Sequence, residues 1–216
     1  GNYIGYYRRR REVQHGELDD RLELVPREWI RGKRVLDVGA NAGEVSIELA
    51  QRFRAAEVVG VDIDPELTQQ ARRNDLTVED SAYFPTSLAR MFGFLPHPRG
   101  LVRSYTESNA VSPRRNRRDA NYVEHLFFPE NIVFETADWV NTPLQADRDG
   151  YDVIFALSVT KWIHLQGLNP GLLAFFRRCF DCLRPGGRLI LEPQPFSTYA
   201  KNVKTMPELQ ERYDKL

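Results

Sequence analysis

The sequence predicts an α/β domain with a doubly wound, mostly parallel sheet and helices on both faces. Three observations predict it. Short runs rich in Val, Ile and Leu recur along the chain and are nearly continuous in apolarity, as in strands buried on both faces. Segments of helical period lie between them. The first run opens into a glycine-bearing turn and the second ends in an acid, which is typical of a nucleotide-type site.

Five runs are predicted to be strands, at residues 33–38, 57–62, 131–135, 151–157 and 188–192. A first helix is expected over 44–53. A second begins with Asp64 as N-cap and Pro65 at its first position. A third begins at Asn169 and Pro170 and carries one apolar stripe. Because strands and helices alternate, a ligand is expected at the carboxyl ends of the strands.

The composition of the chain limits its function classes. The 216 residues suffice for one domain with a core, and 30 basic residues balance 30 acidic ones. A net charge of zero excludes attraction to nucleic acid by the whole molecule. Two arginine clusters, at 8–11 and 114–118, are local exceptions, and such runs are commonly solvated. No apolar run approaches a membrane span, and no membrane partner is expected.

Two segments do not follow the alternation of strands and helices. Residues 1–32, rich in Tyr and Arg, precede the first strand and are expected to form an N-terminal lid. Residues 76–130 are too long for a simple connection, so an inserted, partly disordered segment is expected. We otherwise interpret residues 1–216 as a single domain. The chain begins at Gly1 rather than Met, which is typical of a segment of a longer protein.

A C-x-x-C pair, Cys179 and Cys182, raises the hypothesis of a zinc or redox site. No second pair and no nearby His completes a metal site, and the surrounding period is helical. We therefore predict that both cysteines pack in the core and that no metal is bound. This cysteine usage fits a reducing compartment, the cytosol or nucleus.

The turn after the first predicted strand reads D-x-G-x-N-x-G. Gly39 and Gly43 would let the backbone approach a ligand closely, where a Cβ would collide. Asp62, at the end of the second strand, can accept hydrogen bonds from both hydroxyls of a ribose. The tight glycine pair of a dinucleotide fingerprint, G-x-G-x-x-G, is absent.

This turn resembles the S-adenosylmethionine (AdoMet) loop of class I methyltransferases. Residues 183–191, with their Pro-Gly-Gly turn, resemble the entry into the fifth strand of that fold. The resemblance implies a Rossmann-like class I methyltransferase that uses AdoMet. That fold normally adds two strands after the fifth, the last antiparallel, and residues 193–216 show no such pair. These C-terminal strands are expected to be absent from the chain.

Two longer motifs resemble one family within that class. Residues 158–165 read Ser-Val-Thr-Lys-Trp-Ile-His-Leu, and residues 192–199 read Glu-Pro-Gln-Pro-Phe-Ser-Thr-Tyr. They resemble the hallmarks of the bicoid-interacting-protein-3 family, with Phe196 where the family usually has Trp. The opening Gly-Asn-Tyr and the Tyr-Tyr of residues 1–7 also resemble that family.

The resemblance implies methylation of a terminal phosphate oxygen at an RNA 5′ end. It implies catalytic roles for Lys161, His164 and Tyr6, with Tyr6 and Tyr7 as a lid over AdoMet and RNA. The family's AdoMet contacts match positions Tyr7, Arg21, Gly39, Ala40, Asn41, Asp62, Ile63, Asp138, Trp139 and Leu157. Among these, Arg21 would bind the methionine carboxylate.

Some roles stay open at the level of sequence. Asp138 would face the adenine or act as a helix N-cap. Glu192 has an AdoMet-pocket role or a structural one. Trp162 could stack on a base or pack in the core. By themselves, Lys161 and His164 are also compatible with a surface lysine and a satisfied core histidine.

Four hypotheses for function follow. The leading one is a methyltransferase that caps the γ-phosphate of a 5′-triphosphate small non-coding RNA. A monophosphate-directed relative is the nearest alternative, and that branch has Met rather than Lys at the position of Lys161. The others are a small-molecule O- or N-methyltransferase and an RNA-binding ribonucleoprotein scaffold with dispensable catalysis. The family resemblance also implies a nuclear location, with the cytoplasm as the alternative, a La-related protein as partner, and an otherwise monomeric chain.

Overall fold

The computed structural model of the protein describes residues 19–83 and 128–216, with side chains described as far as Asn74 in the first segment. By its internal contacts the chain divides into residues 1–75 with 126–216 and residues 76–125. The sheet and the site described below lie in the first of these units.

The sheet has five parallel strands in the order β3-β2-β1-β4-β5. Their bounds are β1 Arg34–Val38, β2 Glu57–Asp62, β3 Ile132–Thr136, β4 Tyr151–Leu157 and β5 Leu183–Glu192. All five predicted strands are confirmed. β5 begins five residues earlier than predicted, because Leu183 pairs with Tyr151 across an irregularity in the register. The strand order reverses between β1 and β4, and such a switch point is where open α/β sheets bind ligands.

Six α-helices surround the described strands: α1 Asp20–Glu23, α2 Glu44–Gln51, α3 Pro65–Tyr83, α4 Thr160–Cys182, α5 Tyr199–Thr205 and α6 Gln210–Tyr213. Short 3₁₀ helices lie at Arg27–Trp29, Gln145–Asp149, Phe196–Thr198 and Pro207–Leu209. In the described part of the chain, no helix combines the length and the apolar character that a membrane span requires.

The predicted N-cap of α3 is confirmed. The Asp64 side chain accepts a hydrogen bond from the backbone N–H of Glu66 at 2.8 Å. This bond satisfies an amide that has no partner inside the helix. The cap fixes the point at which the chain turns away from β2, and therefore fixes the position of Asp62 just before it.

Helix α4 begins nine residues earlier than the predicted start at Asn169. Its backbone is broken at Leu168, where φ is 53° and ψ is −161°, so the predicted helix is the second half of a longer one. The first turn lacks a local capping residue. Instead the backbone N–H of Lys161 donates to Oε1 of Gln194 at 3.3 Å. Local sequence did not reveal this start because the capping group comes from 33 residues away.

The core beneath the sheet is closed by α4 and by the segment after β3. Phe175 of α4 is fully buried and meets the Trp139 ring edge-on, with ring centroids 6.2 Å apart. Cys179 packs in the same cluster and Cys182 lies beside it. Burial raises the pKa of the Cys179 thiol to about 12. The predicted core packing of the cysteines is confirmed.

Residues 193–216 form short helices, and the last strand of the sheet ends at Glu192. Their apolar side chains pack on the first half of α4 in a separate cluster of Leu165, Tyr199, Val203 and Leu209. The C-terminal segment is thereby fixed beside the first turn of α4, where Lys161 lies.

Candidate active site

A cavity of about 730 Å³ opens at the carboxyl ends of the strands. Residues at or just after the ends of all five strands line it, together with the first turns of α4 and part of the C-terminal segment. Its volume falls in the range of pockets that enclose a small molecule. The site is therefore where the parallel topology predicts a ligand.

Asp62 lies at the edge of this cavity, at the end of β2. Its Oδ2 accepts a hydrogen bond from the backbone N–H of Asn41 at 2.9 Å, and its Oδ1 accepts one from the N–H of Asp64 at 3.0 Å. Burial is the main cause that raises the pKa of this carboxyl. A carboxylate has about four lone-pair sites, so both oxygens keep capacity for further donors. The two hydroxyls of a ribose can donate hydrogen bonds to these remaining acceptor sites of Asp62.

The glycines of the turn after β1 have a packing role that was not predicted, and their approach to a ligand stays a prediction. Gly39 and Gly43 have φ of +81° and +87°, which favours glycine. A Cβ on Gly39 would lie 2.8 Å from Cγ2 of Val159, and a Cβ on Gly43 would lie 2.7 Å from Cζ of Phe134. The collisions are thus with the protein's own side chains. Gly39 lines the cavity, but packing alone accounts for the absence of a side chain at both positions.

Four further predicted cofactor residues lie near this edge. Asn41, Ile63, Asp138 and Leu157 line the cavity, and Ile63 presents an apolar side chain that is 67% exposed. Asp138 also accepts hydrogen bonds from the backbone and side-chain N–H groups of Asn141, so it stabilises a turn rather than capping a helix. Its position at the cavity leaves the predicted adenine contact available.

Trp139 and Ala40 contribute to the site from the core. The Trp139 ring is 2% exposed, and its Nε1–H donates to Oδ1 of Asp147 at 3.2 Å. Ala40 is buried and does not belong to the described cavity lining. Both side chains are buried, and Trp139 nevertheless belongs to the cavity lining.

Arg21 and Glu192 form an ion-pair network. The Arg21 guanidinium lies 2.6 Å from an oxygen of Asp19 and 2.6 Å from Oε2 of Glu192. Ser158 also donates through Oγ to Oε2 of Glu192 at 2.5 Å. Glu192 also lines the cavity, so a structural role and a role in the AdoMet pocket are compatible for this residue. A contact of Arg21 with a methionine carboxylate stays a prediction, since the described lining does not include Arg21.

Lys161 is a buried cation in the first turn of α4, only 7% exposed. Its Nζ donates to Oδ1 of Asn202 at 2.7 Å and lies 5.4 Å from the centroid of the Trp162 ring. Desolvation lowers the pKa of its ammonium. Among the described residues, no carboxylate lies within 4.0 Å of Nζ. Lys161 is one of the residues that line the cavity, and the hydrogen-bond partner of its Nζ among the described residues is a neutral amide.

His164 lies one turn further along α4. Its Nε2 is 2.8 Å from Oδ1 of Asn169, and its Nδ1 is 3.3 Å from the Tyr199 hydroxyl. An amide oxygen only accepts, so this geometry assigns the proton of a neutral ring to Nε2. His164 is not part of the described cavity lining, and its catalytic role stays a prediction. The other predicted aromatic residues, Tyr6 and Tyr7, lie outside the described residues, as do both arginine clusters.

The sequence analysis missed three residues that build the site. Gln194 joins β5 to α4, because its Nε2 donates to the Ser158 carbonyl at 2.6 Å while its Oε1 accepts from Lys161. Asn202 orients Lys161, and Arg212 lines the cavity from α6. Gln194 lay within a quoted motif and could have been found there. Asn202 and Arg212 carry no local signal, since packing of the C-terminal segment brings them to the site.

Two family models match the chain. One, described as a methyltransferase domain, matches residues 35–91. The other, described as bicoid-interacting protein 3, matches residues 151–216. The first match includes the turn with Gly39 and Gly43 and the strand that ends at Asp62. The second includes Lys161, Gln194 and the whole C-terminal segment.

Curated relatives match nearly the whole chain. The 7SK snRNA methylphosphate capping enzyme of Mus musculus is 32% identical over 99% of this chain and 33% of its own length. The U6 snRNA methylphosphate capping enzyme Amus of Drosophila melanogaster is 31% identical over 99% of this chain and 59% of its own length. The RNA 5′-monophosphate methyltransferase of Mus musculus is 24% identical over 81% of this chain and 50% of its own length. The chain thus spans between a third and about three fifths of the length of these relatives.

Proposed function

Because the chain belongs to the bicoid-interacting-protein-3 family, we propose that it transfers a methyl group from AdoMet to a terminal phosphate oxygen at the 5′ end of a small non-coding RNA. The acceptor is the γ-phosphate of a 5′-triphosphate. The observation that carries this proposal is Lys161, a buried cation in the lining of the cavity whose described hydrogen-bond partner is a neutral amide.

The cofactor end of the cavity fits AdoMet. Asp62 offers two partly used carboxylate oxygens for the ribose hydroxyls, and exposed Ile63 offers an apolar surface for the adenine. Asp138 supplies an acceptor for the adenine amino group. When bound, AdoMet supplies an electrophilic methyl group on a sulfonium sulfur. The residues that would hold it follow β1, β2 and β3, at the carboxyl ends of the strands where a parallel sheet binds its ligand.

The acceptor end of the cavity fits a phosphate. Lys161 follows β4 and offers a charge whose desolvation is uncompensated by any carboxylate among the described residues. A phosphate oxygen would supply the negative charge that no described carboxylate provides to Lys161. The terminal phosphate has a second pKa of about 6, so its oxygen is already anionic near neutral pH. The chain therefore needs no general base, and its residues act by positioning and by electrostatic stabilisation.

Methyl transfer to one RNA prepared with three different 5′ ends tests the proposal. Labelled methyl from AdoMet should enter the triphosphate RNA, less of it the monophosphate RNA and none the hydroxyl-ended RNA. Equal incorporation into the hydroxyl-ended RNA would reject phosphate methylation. Incorporation into small molecules but into no RNA would favour the small-molecule alternative.

A monophosphate acceptor is the second candidate, because an RNA 5′-monophosphate methyltransferase is among the relatives. The buried charge of Lys161 favours the triphosphate, which presents more negative charge to it. We further propose that the protein acts in the nucleus, as a single chain that can join a ribonucleoprotein containing a La-related protein. Co-purification of RNA with the protein from nuclei would test that setting.

A further inference from the structure

The charged side chains of the cavity fall into two groups. Four acids line it after β2, β3 and β5: Asp62, Asp64, Asp138 and Glu192. The described lining contains two cations, Lys161 in the first turn of α4 and Arg212 in α6. The cavity therefore has an acidic side, which suits hydroxyl and amino groups, and a cationic side, which suits an anion.

Arg212 is held by neutral oxygens. Its Nη1 donates to the backbone carbonyl of Gln166 at 2.5 Å and to the Oε1 of the same residue at 2.6 Å. Within the described part of the chain, no carboxylate lies within 4.0 Å of its guanidinium, and the neighbouring Glu211 pairs with Lys215 instead. These bonds orient the guanidinium of Arg212, an exposed residue whose charge also interacts with that of Glu211.

Lys161 is also held by a neutral oxygen, but it is buried, whereas Arg212 is exposed. Its Nζ donates to the amide oxygen of Asn202, a side chain that is 8% exposed. Asp in place of Asn202, or Glu in place of Gln166, would have nearly the same shape and would neutralise the cation it contacts. Both cations are thus oriented by amides at positions where an acid of equal size would cancel their charge.

Lys161 and Gln166, which accepts from Arg212, lie in the same helix and both line the cavity. The two cations therefore belong to one side of the cavity. A ligand that uses both of them would present more than one anionic group.

We propose that Arg212 is a second phosphate-binding residue, and that Lys161 and Arg212 together hold neighbouring phosphates of a 5′-polyphosphate. Asn202 and Gln166 act as positioning residues that orient the two cations without neutralising them. The identity of the RNA substrate rests on the proposed function. The anion site itself rests on the contacts given above.

Calorimetric binding of inorganic tripolyphosphate, in the presence of S-adenosylhomocysteine and at fixed salt, tests the anion site directly. The wild-type protein should bind it. Arg212→Gln, Gln166→Glu and Asn202→Asp should each weaken binding by about tenfold or more, because each removes or neutralises one charged contact. Arg212→Lys should retain most of the affinity. Gln70→Glu, the same charge change at an exposed position of α3 outside the cavity lining, is the matched control.

The same variants separate positioning from a merely structural role. Their affinity for S-adenosylhomocysteine should equal that of the wild type, while methyl transfer to triphosphate RNA should fall more than transfer to monophosphate RNA. Wild-type tripolyphosphate affinity in Arg212→Gln and Gln166→Glu would overturn the inference. So would variants in which methyl transfer to the two RNAs falls equally and the affinity for S-adenosylhomocysteine falls as well. A wild-type protein that binds tripolyphosphate but methylates no RNA would instead reject the proposed function and leave the anion site standing.

Discussion

At the scale of single residues, the site is defined by buried charges with partly used hydrogen-bonding capacity. Asp62 accepts two backbone N–H groups and keeps further lone pairs, and Lys161 donates to one amide and keeps two N–H groups. The hydrogen-bond partners named here are neutral, and both residues belong to the lining of the cavity. Asp62 therefore suits a ligand group that donates hydrogen bonds, such as a hydroxyl, and Lys161 suits an anion.

Asp62→Asn is predicted to weaken binding of S-adenosylhomocysteine by about 1–3 kcal/mol, because the amide keeps one acceptor oxygen and leaves either a backbone N–H or a ribose hydroxyl without one. Calorimetry measures this affinity. Glu66→Gln, which removes an exposed acid in the first turn of α3, serves as the control and should bind like the wild type. Unchanged affinity in a folded Asp62→Asn protein would remove Asp62 from the cofactor site.

Asp37 predicts a pH dependence of stability. Burial raises the pKa of this carboxyl to about 6, although Ser46 donates a hydrogen bond to it at 2.6 Å. The unfolded pKa is about 3.9, so the folded state binds the extra proton. The stabilisation of the folded state by this proton is fully present below about pH 4, and it is lost as the pH rises through about 6.

Asp37→Asn should remove this loss of stability with rising pH, because an amide does not titrate. Its oxygen can still accept the hydrogen bond from Ser46. Relative to the wild type, the variant should be more stable at pH 8 than at pH 5 by about 1–2 kcal/mol. Urea unfolding at the two pH values measures the difference. Asp181→Asn, at an exposed aspartate of α4, is the control. The same pH profile in wild type and Asp37→Asn would contradict the assignment.

At the scale of secondary-structure elements, the turn after β1 is a packing junction between three elements. Gly43 begins α2, and a Cβ there would lie 2.7 Å from Phe134 of β3 and 2.9 Å from Ala71 of α3. Its φ of +87° adds a conformational requirement for glycine. Helix–sheet packing therefore accounts for the glycines of this motif as well as a ligand would.

Gly43→Ala is predicted to destabilise the fold by about 2 kcal/mol or more, through the positive φ and the collision with Phe134. Thermal or urea unfolding measures the change. Gly167→Ala is the matched control, because a Cβ at Gly167 meets no atom within 4 Å and its φ is not in the left-handed region. Equal stability of the two variants would show that the junction has room for a side chain.

The element scale also shows what sequence could predict. Strands such as β1 and β4 were predicted from apolar runs, because burial on both faces leaves a strong local pattern. The N-cap at Asp64 was predicted because capping uses adjacent residues. The first half of α4 was missed, since its amide at Lys161 is satisfied by the remote Gln194. Asn202 and Arg212 were missed for the same reason: only the packing of the C-terminal segment brings them to the cavity.

At the scale of the whole molecule, the described part of the chain places an acidic cofactor side and a cationic acceptor side in one cavity. The proposed anionic acceptor is compatible with a chain of zero net charge, because the charged side chains of the cavity are unevenly distributed. Most of the predicted N-terminal lid, residues 1–18, and most of the predicted inserted segment, residues 84–127, lie outside the described residues, and so do the contributions expected of them. They stay predictions.

Deletion of residues 103–121, with a short Gly-Ser linker in their place, is predicted to leave S-adenosylhomocysteine binding intact. The segment is rich in arginine, so its loss should weaken RNA binding and reduce the dependence of that binding on salt. Titrations of one RNA at several salt concentrations measure both effects. Loss of cofactor-product binding on deletion would assign the segment to the catalytic core.

The central claim is that Lys161 directs methyl transfer to a 5′-triphosphate. The most direct measurement is mass spectrometry of the 5′-terminal nucleotide after reaction of triphosphate RNA with AdoMet, for the wild type and for Lys161→Met. The wild type should add one methyl group to the terminal phosphate, and Lys161→Met should lower that product by about 10²-fold while it still binds S-adenosylhomocysteine. A methyl group found on a base or ribose, or undiminished capping by Lys161→Met, would contradict the account.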